Sequence, residues 1–127
     1  MADDLDGDGR MDLIVTSFEA WPEAKQALRI YKNTLKDPGN WIGFRFREAG
    51  GGKSPVGARV TLSYNGHRAV RQIVTGDSYR SQHANAVHFG LGDAQRVESA
   101  EILRPNGQVI TLREPALNRY YAIPEGR

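Results

Sequence analysis

A chain of 127 residues has room for one compact domain, or for one domain with a fragment of another, and is too short for a large multidomain enzyme. Lys and Arg number 17 against 15 Asp and Glu, and a net charge of +2 announces no strongly charged partner such as nucleic acid. With 39% apolar residues, no Cys and no apolar run near the ~20 residues that a bilayer requires, composition excludes disorder, a disulfide frame, a cysteine nucleophile and a membrane-spanning helix.

The chain starts acidic, Met1-Ala2-Asp3-Asp4, where a secretion signal would be basic and then apolar, so no export signal is expected there. Next comes Asp4-Leu5-Asp6-Gly7-Asp8-Gly9-Arg10-Met11-Asp12. Carboxylates at alternate positions converge only if the chain curls tightly, and the two glycines allow that curl. Hard oxygen ligands select Ca²⁺, with Asp4, Asp6, Asp8 and Asp12 as side-chain ligands and the Arg10 carbonyl completing the shell. The plainer alternative is an acidic, solvated turn. An EF-hand would need Glu at the twelfth position counted from Asp4, but that position is Val15, inside an apolar run. The pattern therefore predicts a calcium loop built into a β-hairpin, with a structural ion.

Helical signals are scarce, and the one candidate is Trp21-Pro22-Glu23-Ala24-Lys25-Gln26-Ala27, with Pro in the first turn. Residues 1–39 carry a net charge of −3 and the remainder +5, and Lys36-Asp37-Pro38-Gly39-Asn40 marks a boundary between them. Beyond it, Ile42–Arg47 and Val56–Tyr64 alternate with period two, even-numbered positions facing a core. Asn65-Gly66 predicts a type I′ hairpin over residues 56–75 that pairs Tyr64 with His67, Leu62 with Ala69, Val60 with Arg71 and Ala58 with Ile73. That register puts Arg71 on the core face, so either a bulge shifts it or Arg71 is a partnered, functional arginine. Further strands are expected at Ala86–Phe89, Val97–Arg104, Gln108–Leu112 and Tyr120–Ile123, with Pro105-Asn106-Gly107 turning between the middle two. The fold class is all-β, a small antiparallel barrel or sandwich preceded by the calcium-loop hairpin.

Gly50-Gly51-Gly52-Lys53-Ser54 and Gly90-Leu91-Gly92 fail the phosphate-loop pattern and are expected as turns. His67, His83 and His88 are dispersed and predict no metal site. Asp77, Ser78, Ser81 and His83 lie close together, but Gly76-Asp77-Ser78-Tyr79-Arg80 lacks the closing Gly of a nucleophile elbow, so no catalytic constellation is found. Arg71, Tyr79, Gln82 and His83 offer donors and a stacking face for a sugar or peptide ligand. The competing reading is a single-stranded nucleic-acid binder using Arg45, Arg47 and Arg59 beside Trp41, though the basic residues are scattered.

These residues carry a resemblance. Asp4–Asp12 with Leu13-Ile14-Val15, then Leu28-Arg29-Ile30-Tyr31-Lys32-Asn33, resembles an FG-GAP blade of an integrin-type β-propeller. Residues 40–123 resemble the ASPIC/UnbV domain, through Asn40-Trp41-Ile42-Gly43, Val56-Gly57-Ala58-Arg59-Val60, Arg71 with Val74 and Gly76, Tyr79-Arg80-Ser81-Gln82, His88-Phe89-Gly90-Leu91-Gly92 and the Pro105-Asn106-Gly107 turn. One departure is Leu103-Arg104 before Pro105, where that family usually shows Trp. The resemblance implies a blade tail over residues 1–39 followed by a β module over 40–127. It also implies an extracellular, periplasmic or cell-surface setting, structural Ca²⁺ and no established enzymatic activity. Its implied partners are the remainder of the propeller and a glycan or protein ligand, and some relatives are encoded among enediyne biosynthesis genes, an alternative accessory role. A two-stranded hairpin is marginal alone, so residues 1–39 should pack against the β module or else be poorly ordered.

Overall fold

The computed structural model describes residues 1–47, 54–79 and 81–124. Among these residues ten strands run in chain order: β1 Ala2–Asp3, β2 Asp12–Glu19, β3 Lys25–Tyr31, β4 Asn40–Phe46, β5 Arg59–Tyr64, β6 His67–Gln72, β7 Ala86–Gly92, β8 Ser99–Leu103, β9 Val109–Arg113 and β10 Tyr120–Ile123. They form three sheets, ordered β1-β2-β3, β10-β4-β7 and β6-β5-β8-β9, none closed into a barrel. The all-β expectation is met in its sandwich form, with one mixed feature: β10 pairs with β4 in parallel, Tyr120 opposite Gly43 and Ile123 opposite Phe46.

The alternation expected around residues 42–47 holds, and that expected over 56–64 holds from Ala58 onward, Val56 before the strand being exposed. Ile42, Phe44 and Phe46 from β4 meet Ala58 beside β5 and Val60 and Leu62 within it, joined by Val87, Phe89, Ala100 and Ile102 in one buried cluster between two sheets. Asn65 and Gly66 take φ of 49° and 72°, the left-handed pair that a type I′ turn demands. The β5–β6 register follows the expected pairs, including Val60 opposite Arg71. No bulge forms there; Arg71 keeps its register and is exposed.

Two expectations are corrected. Among the described residues there is no helix: Lys25–Ala27 open β3, paired with Glu19, Phe18 and Ser17. A seven-residue helix is below the length that repays nucleation, whereas the ladder with β2 satisfies the same backbone groups at once. Gly90-Leu91-Gly92 is not a turn but the last part of β7. Its Leu91 side chain is buried in the core, which holds the segment in the sheet. Of the other glycine segment, residues 50–53 lie outside the described residues.

The β1-β2-β3 sheet stands apart from the core, with Phe18, Leu28 and Ile30 each more than half exposed. It touches the rest through its loop and through β1, where the His83 ring meets the Ala2 carbonyl at 3.3 Å. Arg104, standing where the resemblance expects Trp, is buried and donates from Nη2 to the Pro124 carbonyl, tying the β8–β9 turn to the chain after β10.

Candidate functional site

The segment joining β1 to β2 is wound around one buried carboxylate. Asp4 Oδ1 accepts from the backbone N–H of Gly7 at 2.8 Å and of Asp8 at 3.1 Å, and Oδ2 from that of Gly9 at 2.8 Å. Asp6 and Asp8 cap the next amides, accepting from Asp8 N at 3.3 Å and Arg10 N at 2.9 Å. The result brings one carboxylate oxygen each from Asp4, Asp6 and Asp8 within 4.8 Å of one another. Oxygens bound to one Ca²⁺ at 2.3–2.6 Å can stand up to about 5 Å apart, so these three fit a calcium ion in hardness and spacing and would supply three of the roughly six to eight oxygens it takes.

Of the other two expected ligands, Asp12 uses its carboxylate on backbone amides, and the contacts of Arg10 are those of its side chain, not of the carbonyl expected as a ligand. Asp12 accepts from Leu5 N at 3.3 Å and Asn33 N at 2.9 Å, one on each oxygen, and so clamps the loop's start to the residue after Lys32. The Arg10 side chain folds back to pair with Asp8 and donates to the Leu35 carbonyl at 3.3 Å. Lys32 pairs with Asp6 and lies 3.7 Å from Asp8. That hydrogen bond with Lys32 holds the Asp6 carboxyl below its ordinary range and lifts the ammonium above its own. A divalent ion here would compete with two side-chain cations for Asp6 and Asp8.

The loop is keyed to the β module at a glycine. Gly9 has φ of 86°, and a Cβ there would lie 2.0 Å from Trp41 Nε1, so the indole of β4 sits where any side chain would be. Trp41 in turn stacks on His88 at 5.3 Å between centroids and leans on Tyr120 at 4.9 Å. Arg45 lies 3.9 Å over the Tyr120 ring and donates to the Asp4 carbonyl at 3.4 Å. The Trp41 ring is thus buried, and the stacking face that single-stranded nucleic acid would need is turned inward.

Burial, and then a hydrogen bond with the Asp4 carboxylate, push the Tyr120 phenol far above its ordinary value, so it remains a donor. Burial lowers the His88 imidazole below its ordinary 6.5, against the opposing pull of the Gly9 carbonyl and Asp4. Between that lowered value and 6.5 the unfolded chain binds more protons than the folded one. The stability tied to neutral His88 is therefore present above 6.5 and lost as pH falls through the window. Melts from about pH 7.5 to about pH 5 should show a steeper loss for the native chain than for His88→Gln.

Beside the loop runs a cleft of about 430 Å³, within the ordinary size of ligand sites. Its walls include Asp3, Arg71, Asp77, His83, His88 and Tyr120. Of the four expected ligand residues the structure brings Arg71 and His83 to this cleft. Tyr79 is 88% exposed and does not line it. Gln82 instead laces its own segment, accepting from Thr75 Oγ1 at 2.8 Å and donating to the Val74 carbonyl at 3.1 Å. Ser81 Oγ donates to the Ser78 carbonyl and can accept from the Ser78 hydroxyl, while His83 turns to Ala2, so these hydroxyls and the imidazole serve different partners. Sequence reading missed His88, Tyr120, Asp3 and Asp77 as wall residues. His88 was within reach, since it alternates out of phase with buried Val87 and Phe89, whereas Tyr120 arrives through a parallel pairing with no local signal.

The family model described as ASPIC and UnbV matches residues 49–127. The chain is also similar to cartilage acidic protein 1 of Xenopus tropicalis, at 32% identity over 109 residues, which are 85% of this chain and 16% of that protein. The proteins of the same name from Mus musculus and Homo sapiens are each 30% identical over the same shares. The chain therefore spans about a sixth of the length of these relatives. Matched along well over half its length by that family model, the chain belongs to the ASPIC and UnbV family.

Proposed function

We propose that the chain is a calcium-stabilised, non-enzymatic binding module of an exported protein, serving adhesion or recognition of a glycan or protein ligand. The observation that carries this reading is the convergence of Asp4, Asp6 and Asp8 oxygens within 4.8 Å. When bound, calcium supplies charge neutralisation and a fixed loop. The chain's own residues do the rest: Asp4 organises the amides, Asp12 clamps the loop ends, and Trp41 and Tyr120 hold the loop against the β module. Because Asp3 and Met11 flank that loop and also line the cleft, ordering the loop orders one wall of the ligand site. In this reading the β1-β2-β3 sheet is the tail of a propeller blade, whose remaining strands would add beside β3. An extracellular, periplasmic or cell-surface setting leans on the relatives' name, which refers to cartilage.

Thermal melts in EDTA and in millimolar Ca²⁺ test the reading. At a concentration about 100-fold above Kd the ion should add about 2.7 kcal/mol, visible as a rise of several degrees. Superimposable melts would remove the structural ion, and with it the basis for a calcium-ordered site.

A further inference from the structure

Each sheet of a β-protein ends in strands whose outer backbone groups lack a ladder partner, and such edges are normally kept apart or covered. Here the end strands of all three sheets, β1, β6 and β7, contribute to the walls of the same cleft. The Phe46 N–H donates to the Asn85 carbonyl at 2.8 Å, which sets the phase: residues 87 and 89 bond towards β4, and His88 and Gly90 turn their N–H and C=O outward. Among the described residues, those outward groups make no backbone hydrogen bond to another segment.

Gly90 leaves that edge uncovered. It lies inside β7, its φ is not positive, and a Cβ built there meets no atom within 4 Å. It pairs with Trp41 at the register shift that follows at Asn40 and Gly92, which accounts for a glycine here, and its missing side chain also leaves room for the close approach of another backbone. The cleft also holds opposite charges, Arg71 and Asp77, neither of which forms an ion pair with a described residue.

We propose that the cleft takes an extended peptide segment, which adds as a strand along the outer edge of β7. His88 and Gly90 supply its main-chain hydrogen bonds, Arg71 receives an acidic side chain and Asp77 a basic one. This deepens the ligand-recognition reading above and rests on it, naming a peptide as the ligand, but it does not depend on calcium.

The test uses the whole chain and an array of short peptides of alternating threonine and valine carrying one glutamate and one lysine at every pair of positions. Binding is read by fluorescence polarisation, with neutral oligosaccharides as a second probe. A subset of peptides is expected to bind. Gly90→Leu, which fills open space, should weaken them about tenfold, and Arg71→Glu should weaken them by a similar factor and shift the preference away from glutamate. N-methylation at alternate peptide positions needs no protein variant: one set should abolish binding and the other leave it intact, the signature of a single ladder. Absence of peptide binding, or binding indifferent to both N-methyl sets, overturns the proposal. Oligosaccharide binding that Gly90→Leu blocks, with no peptide bound, also overturns it while leaving ligand recognition standing. An absent calcium response would strike only the metal part of the broader reading.

Discussion

Phe44→Ala is expected to lower global stability by about 3–5 kcal/mol, a large share of the 5–15 kcal/mol that an ordinary domain possesses. Phe44 has no solvent exposure and sits mid-way along β4, the strand flanked by both β10 and β7. Its ring lies edge-on to Phe89 at 6.3 Å and stacks with Tyr121 at 5.8 Å. Those neighbours are held by ladders on two other strands, so they cannot collapse into the space left behind, and the full cavity cost applies. Thermal unfolding followed by circular dichroism should show the midpoint falling by roughly 10–20 °C. The paired control is Phe18→Ala on β2, an aromatic that is 65% exposed, which should change stability by less than about 0.5 kcal/mol. Equal losses from the two substitutions would contradict the burial pattern on which the sandwich rests.

The contrast between these two phenylalanines also marks what the sequence could reveal. Around Phe44 the period-two pattern is strong because one face is buried against a second sheet, so strand identity, core face and the β5–β6 register were all legible. Asn65-Gly66 fixed that register locally, down to the pairing of Val60 with Arg71. On β2 and β3 the apolar residues stay largely exposed, and the pattern there carries no information about which surface they face in this chain. Trp21–Ala27 read as a helix because Pro, Glu, Ala and Lys suit one, and only the register with β2 overrides that preference. Convergence of Asp4, Asp6 and Asp8 was legible from their spacing, whereas Asp12 was expected with them and stands apart. The division of labour among them was not, since Asp12 finds Asn33 across the hairpin and Lys32 returns to Asp6. The cleft was least legible of all: it is formed by the ends of three sheets, and strand order is a long-range property.

Asp4→Ala should be the most damaging single change in the amino-terminal sheet, costing about 2–4 kcal/mol locally, because three backbone N–H groups lose their acceptor and one of those bonds is buried. Tyr120 loses an oxygen partner at the same moment, and the Arg45 contact, the His88 contact with Gly9 and the Trp41 packing are left to hold the loop to the β module. The damage is therefore expected as local release of the loop before global unfolding. Trp41 reports it directly. The other tryptophan, Trp21, is 85% exposed, so in a Trp21→Phe background a red shift in emission comes from Trp41 alone. Asp4→Asn separates the two duties of the side chain. Its amide oxygen can still accept from the Gly7 and Asp8 N–H groups, so the shift should be intermediate, but the charge that a hard cation needs is gone. The calcium-dependent rise in melting temperature should vanish in Asp4→Asn even though its fluorescence shift is only partial. A variant that keeps the full calcium response would show that Asp4 holds amides alone and that any ion is bound elsewhere.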